Sequence, residues 1–282
     1  MERRGIIDVM RLSGPLLVIM LLVFNGCTSS NQEEASNVPQ TLEQDLQTLA
    51  GARVFFGHQS VGKNILEGIA GLLRDHPGID LRIADYTSEV GQSEGCLLHA
   101  AVGRNTEPLS KCVDFGRIID EELAGRIDYA LLKFCYIDIN RDSDVAKVFG
   151  DYKRTMDDLI ARHPEVTFIH TTMPLRHSPG GPSIWLRELL GRPNKSKLDN
   201  IKRNQFNQML RSNYSDSGIV DIAASESTHA NGKRESFKMD GGTYYSLIGD
   251  YTDDGGHLND RGRTRVASAF VQEIADIIRA HP

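Results

Sequence analysis

Residues 129–137 read Tyr-Ala-Leu-Leu-Lys-Phe-Cys-Tyr-Ile, a run almost continuous in apolar side chains. Such a run suits a strand covered on both faces, the environment at the centre of a parallel sheet. A strand of that kind needs a layer of helices on each side, and the flanking sequence has the periodicity for them. Residues 53–56 form a short apolar run, after which Ile65, Leu66, Ile69, Leu72 and Leu73 recur at helical spacing as far as His76-Pro77-Gly78. Residues 81–84 make a second strand candidate, followed by a long irregular stretch and a helical pattern through Val113, Ile118, Ile119 and Leu123. Beyond residue 137, a helical pattern (Tyr152, Met156, Leu159, Ile160), a strand at 166–169, a helix at 201–210 and a weaker strand at 219–222 follow in turn. The last helix places Val266, Ala269, Phe270, Ile274, Ile277 and Ile278 on one face. Five strands separated by helices predict right-handed crossovers, and so an α/β fold: a three-layer α/β/α sandwich around a five-stranded parallel sheet.

The first forty-odd residues stand apart from this pattern. Arg3, Arg4 and Arg11 precede an apolar run at 16–24, too short to span a hydrocarbon core of roughly 30 Å as a helix. A basic start, an apolar middle and a small residue before Cys27 make an export signal. The segment Val23-Phe24-Asn25-Gly26-Cys27 resembles a bacterial lipobox, which implies cleavage after residue 26, lipidation of Cys27 and anchoring to a membrane of the cell envelope. Residues 27–45 then read as a tether, its polar part being 28–40. The ordered chain starts near Thr41, and a single domain spans 46–282. The chain carries 32 Lys and Arg against 38 Asp and Glu, a net charge of −6, with no long basic run. Nucleic acid is therefore not an expected partner, because phosphate binding needs concentrated positive charge. No CxxC or His-x-x-His spacing points to a metal, and no cofactor is called for. Export exposes Cys96, Cys112 and Cys135 to an oxidising compartment. Cys135 lies in the apolar run, which leaves a Cys96–Cys112 disulfide as the expectation.

In a parallel α/β sheet the chemistry gathers at the carboxyl ends of the strands. After the first strand stands Gly57-His58-Gln59-Ser60. Ser60 opens a helix, where it is either a helix cap or a nucleophile beside free backbone donors. Before the last helix stands Asp254-Gly255-Gly256-His257, in which two glycines let both side chains point one way. A Ser on the first loop with an Asp and a His on the last supplies nucleophile, base and orienting carboxylate.

On these motifs, over about residues 51–282, the chain resembles the SGNH (GDSL-like) hydrolases, whose fold is a flavodoxin-like α/β/α sandwich. The best-matched stretch is Asp254-Gly-Gly-His257-Leu258-Asn259, continuing to Gly262 and Val266-Ala267. The resemblance implies that Ser60 is the nucleophile, His257 the general base and Asp254 its partner. The family's Ser normally follows Gly-Asp, whereas here it follows His58-Gln59. The family's oxyanion hole adds a Gly after the second strand and an Asn after the third. Gly103 is the candidate for the first, while Ile137 occupies the Asn position and has no side-chain donor; Asn105 is the candidate replacement. With the N–H of Ser60, these make the expected oxyanion hole, and His58, Gln59 and Asp138 are candidate lining residues.

The reaction so implied is hydrolysis of an acyl ester through an acyl-enzyme. The substrate expected is an acyl group, such as O-acetyl, on an envelope or extracellular glycan, since Trp185, Phe237, Tyr244, Tyr245 and Tyr251 in the segments 173–196 and 225–251 offer rings to sugars or else pin down long loops. Transfer of the acyl group to a carbohydrate, or an inactive lipoprotein that binds glycan or a protein partner, are the alternatives.

Overall fold

The computed structural model describes residues 41–88, 95–192, 194–215 and 218–281, apart from the side chains of 183–185 and 188. The export signal, Cys27 and the polar tether lie outside the described residues. The first helix, α1 (Leu42–Ala50), is closed by a capping box in which Thr41 Oγ1 accepts from the Gln44 N–H and Gln44 Oε1 accepts from the Thr41 N–H. Leu46 and Leu49 bury its inner face, and Asp45 accepts from Arg279 at 2.8 Å. Residues 42–45 are therefore helix, although the sequence reading puts them in the tether.

The main sheet has six strands, β1 (Arg53–His58), β2 (Arg82–Asp85), β3 (Cys96–Ala101), β4 (Tyr129–Leu132), β5 (Thr167–Thr171) and β6 (Ile219–Val220). They are parallel throughout in the order β2-β3-β1-β4-β5-β6. The predicted layers are present, and the count is corrected from five to six by β3. That strand reads Cys-Leu-Leu-His-Ala-Ala, short and broken by a polar residue, and it sits inside the stretch that sequence periodicity leaves irregular. Strand alternation divides the core in two. Val54 and Phe56 of β1 face α1, α2 (Ser60–Asp75) and α8 (Asp260–Ala280). Phe55 points the other way, into a cluster formed with α3 (Pro108–Ile118), α4 (Val145–Arg162) and α6 (Lys195–Asn213). Each fully buried Phe or Leu contributes about 1.5–3 kcal/mol to holding a layer on the sheet. The remaining α-helices and strands among the described residues are α5 (Pro182–Leu189), α7 (Ile222–Ser227) and a two-stranded hairpin of β7 (Ser236–Met239) and β8 (Gly242–Tyr245).

Cys96 and Cys112 do not form the expected disulfide; both are free and buried. Cys96 begins β3, whereas Cys112 lies in the first half of α3, which starts beyond the far end of that strand and runs back along it. At roughly 3.3 Å per strand residue against 1.5 Å per helix residue, the return has not brought Cys112 level with Cys96. A bridge needs Cα atoms within about 7 Å. Burial pushes the Cys112 thiol up to about 12, so it is inert as well as unpaired.

Candidate active site

Strand β1 delivers the chain to the carboxyl edge of the sheet at His58, and Gln59 turns it into α2. Gln59 is the N-cap, in an extended conformation, and makes no capping bond from its side chain. Instead its Nε2 donates to the carbonyls of Val102 and Gly103, both at 2.9 Å, tying the loop after β1 to the loop after β3. Ser60 is thus the first residue of α2 and not its cap, and the opening N–H groups of the helix have no side-chain acceptor from Gln59. The Ser60 hydroxyl lies 3.9 Å from Cys135 Sγ, at the end of the extended chain that leaves β4.

The turn before α8 is built around Asp254. Its Oδ1 accepts the N–H groups of Gly256 and His257, each at 2.8 Å, and its Oδ2 accepts from His257 Nδ1 at 2.6 Å. Because a carboxylate can only accept, the imidazole proton sits on Nδ1 and the lone pair on Nε2 is free to act as a base. Burial raises the Asp254 carboxyl, but the ring and amide hydrogen bonds outweigh it and hold the group well below the usual carboxylate range. Gly255 adopts φ +82°, which turns the chain back for the His257 amide to reach the carboxylate. Gly256 is needed for room: a Cβ there would come within 2.6 Å of the Tyr136 ring. That ring meets the His257 imidazole edge-on, with centroids 5.7 Å apart. Arg176, its guanidinium 5.3 Å from the centroid of the Tyr136 ring, donates to the carbonyls of Asp254 and Gly255.

Asn64 connects the two halves of the site. Its Oδ1 accepts the Leu258 N–H at 3.1 Å, and it stands one helical turn after Ser60 on α2. The peptide next to His257 is therefore pinned to the helix face that carries Ser60. Among the described residues, Ser60 and His257 do not hydrogen-bond each other. Asp254 and His257 hydrogen-bond each other, whereas the contact expected between Ser60 and His257 is open; in enzymes with such groups it often tightens only around substrate.

On the opposite side, residues 103–106 and 135–138 are joined by Asp138. Its Oδ2 accepts from Lys111 Nζ at 2.6 Å and from the Cys135 N–H at 2.7 Å, while its Oδ1 accepts the Thr106 N–H at 2.9 Å. Both charged side chains of this pair are fully buried. Asp138 is accordingly a tie beneath the site, not a lining residue as expected. Lys111 also donates to Asn105 Oδ1 at 3.0 Å, so the Asn105 amide turns its NH2 group away from the lysine. Thr106, with φ +68°, is a β-branched residue in left-handed conformation, a strain that persists only where surrounding bonds enforce it. The Gly103 expectation requires correction. Its N–H donates to Asp114 Oδ2 at 2.9 Å and is not available to an oxyanion. Its glycine is explained by φ +55° and by α3, since a Cβ would meet the Lys111 backbone at 2.5 Å.

His58, also expected to line the site, is buried beneath α2, with Nδ1 on the Gln59 carbonyl and Nε2 3.3 Å from His99 Nδ1. Burial lowers it to about 4, so it is neutral at physiological pH. Lys133, in the middle of the apolar run, is likewise fully buried, and its Nζ donates to the Phe134 carbonyl and to Cys135 Sγ. Phe237 and Tyr244 pack on each other across the hairpin, Tyr245 lies under Arg234 and Tyr251 is in the core. These rings hold the long loops in place; the Trp185 side chain lies outside the described residues. Among the described residues no group of three or more His, Cys, Asp or Glu side chains is placed to hold a metal ion.

Glu226 supports the 173–176 segment from below, accepting the Leu175 N–H on Oε1, with Oε2 buried and unpartnered. Burial raises its carboxyl to about 8. The folded protein keeps it protonated where the unfolded chain ionises, so its contribution is complete below the ordinary value of 4.5 and is lost as pH rises through about 8. The expected result is that Glu226 lowers the stability measured by denaturant unfolding between pH 6 and 8 by up to about 1.4 kcal/mol per unit, and that Glu226→Gln removes this share of the slope and leaves that of Glu273, whose carboxyl burial raises to about 7.

The chain is thus a parallel α/β/α sandwich with a polar site assembled at the carboxyl edge of its sheet. No protein-family model matches it, and no curated protein matches it in sequence. Solved structures similar to it include a lipase/acylhydrolase from Enterococcus faecalis, at 16% identity and a TM-score of 0.42 over 80% of this chain and 96% of that one. A family 3 carbohydrate esterase from Talaromyces cellulolyticus is similar at 13% identity and a TM-score of 0.44, over 82% of this chain and 100% of that one. A Clostridium thermocellum family 3 carbohydrate esterase is similar at 13% and 0.39, over 81% and 98%. The chemistry of the site rests on its own residues.

Proposed function

We propose that this protein is a serine esterase, exported and lipid-anchored through Cys27, that hydrolyses an acyl ester of the O-acetyl type on an envelope glycan. The observation that carries the catalytic reading is the Asp254–His257 pair with a free Nε2, pinned through Asn64 to the helix that begins with Ser60. In this reaction His257 Nε2 takes the Ser60 proton as Oγ attacks the ester carbonyl. The protonated imidazole, stabilised by Asp254, then passes the proton to the departing alcohol, and water repeats the sequence on the acyl-enzyme. The Ser60 N–H at the helix start and the Asn105 NH2 group receive the negative charge that develops on the carbonyl oxygen. Lys111 holds the Asn105 amide by its Oδ1, which supports its NH2 group as the replacement for the donor missing at Ile137.

A fluorophosphonate probe tests the reading directly. Stoichiometric labelling that maps to Ser60 and disappears in His257→Ala is the expected result; an unlabelled Ser60 in folded protein would falsify it. Asn105→Ala should lower kcat about 10²–10³-fold with little change in KM, because the lost donor acts only on the oxyanion. Release of acetate from O-acetylated envelope polysaccharide, compared with a simple aryl acetate, tests the glycan.

A further inference from the structure

We propose that α5 and the turn that follows it form a docking surface for an anionic lipid bilayer. Leu186, Leu189 and Leu190 are 51%, 68% and 69% exposed, in a protein whose other leucines are mostly buried. Their spacing of three and four puts them on one face of the helical turn, so they form a single apolar stripe directed at solvent. Directly beside the stripe, Arg187, Arg192 and Lys195 line an open cavity of about 520 Å³ together with Arg141, Pro179, Asn194 and Leu198. Among the described residues no carboxylate lines this cavity. Arg141 is paired with Asp199, whereas Arg187, Arg192 and Lys195 have no acidic partner among the described residues.

The local electrostatics are unusual for a chain of net charge −6. Lys195 is the first residue of α6, whose first turn holds no acidic residue, so the cation sits at the end of the helix that ordinarily favours negative charge. A soluble anion would satisfy the cations and leave three leucines in water, and an apolar protein partner would satisfy the leucines and leave the cations unpaired. A bilayer surface with negative headgroups satisfies both, since a short apolar face flanked by Arg and Lys inserts at the headgroup boundary while the charges remain on it. The surface is also near the site. Pro179 lines the cavity three residues beyond Arg176, which grips the Asp254 and Gly255 carbonyls. Three residues span at most roughly 11 Å. Docking there would hold the catalytic edge of the sheet against the membrane, independently of any acyl chain on Cys27.

The test uses the full chain carrying Cys27→Ser, floated with phosphatidylcholine vesicles with and without one-third phosphatidylglycerol. Whatever the amino-terminal apolar run contributes is common to all variants compared. Binding should be about tenfold or more tighter with phosphatidylglycerol and should weaken as salt is raised. The combined substitution Leu186→Ser, Leu189→Ser, Leu190→Ser should lose at least about tenfold on the anionic vesicles, and Arg187→Gln with Arg192→Gln and Lys195→Gln should abolish the preference for them. An unchanged thermal midpoint by circular dichroism shows that both variants fold. Equal flotation of the parent and the leucine variant overturns the proposal. So does a parent that binds phosphatidylglycerol vesicles only through the cations, because that result defines a site for soluble anions. Neither readout depends on ester hydrolysis.

Discussion

Ser60→Ala should abolish turnover of a short acyl ester, lowering kcat by about 10⁵–10⁶-fold, while the unfolding midpoint hardly moves. The two halves of this expectation have separate causes. Stability is spared because the hydroxyl's one hydrogen-bond contact among the described residues, 3.9 Å to Cys135 Sγ, is weak, Gln59 supplies the N-cap position, and Ala is a good helix residue at the start of α2. Activity is lost because no other nucleophile in the site replaces it: Cys135 is buried, and its sulfur is engaged by Lys133. His257→Ala should be as damaging, and Asp254→Asn less so, by about 10⁴-fold, since an amide can donate to Nδ1 and drive the imidazole proton onto Nε2. The three variants act on one proton path, so combining them should cost little more than Ser60→Ala alone. Retention of full activity by Ser60→Ala sinks the esterase reading, and a fall in the midpoint for Asp254→Asn with activity retained would show that the turn, not the catalysis, is what the carboxylate serves.

What the sequence made legible follows from how local each feature is. The long apolar run that begins with β4 and the helical stripes of α2, α4 and α8 are encoded within short windows, and so is the Asp254–His257 turn, in which the bonds to the Asp254 carboxylate from Gly256 and His257 lie within three residues. Strand β3 was hidden because six residues interrupted by His99 have no clear period. The disulfide expectation failed for a related reason: with β3 unseen, nothing in the sequence showed that Cys96 and Cys112 lie at different heights along the sheet. The contacts that finish the site are long-range. Asn64 meets Leu258 across the whole fold, Lys111 meets Asp138 between α3 and the loop after β4, and Gly103 gives its N–H to Asp114. A lysine in a helical pattern ordinarily reads as solvent-facing, and only the buried carboxylate opposite makes sense of Lys111.

That buried pair leads to the second large effect. Asp138→Ala should destabilise the protein by about 3–5 kcal/mol, because Lys111 is left charged with no counter-ion in a place water does not reach. The loss has a second part, since the Thr106 and Cys135 N–H groups also lose their acceptor, at about 1–3 kcal/mol for the buried Cys135 amide and less for the exposed Thr106. Lys111→Met separates the two. It strands the Asp138 carboxylate in place of the lysine, but with both amides still donating to it, so it should cost less than Asp138→Ala. Adding Lys111→Met to Asp138→Ala should recover the charge component and leave the amide component. Activity should follow a different order. Asn105 depends on Lys111 for its orientation and Thr106 depends on Asp138 for its left-handed backbone, so all three variants loosen the oxyanion side and lower kcat, even where stability is regained. Asn105→Ala, by contrast, should lower kcat without a comparable loss of stability. A double variant that regains both stability and full kcat would show that the buried pair holds the loops together for the fold alone, and that the oxyanion donors are placed by something else.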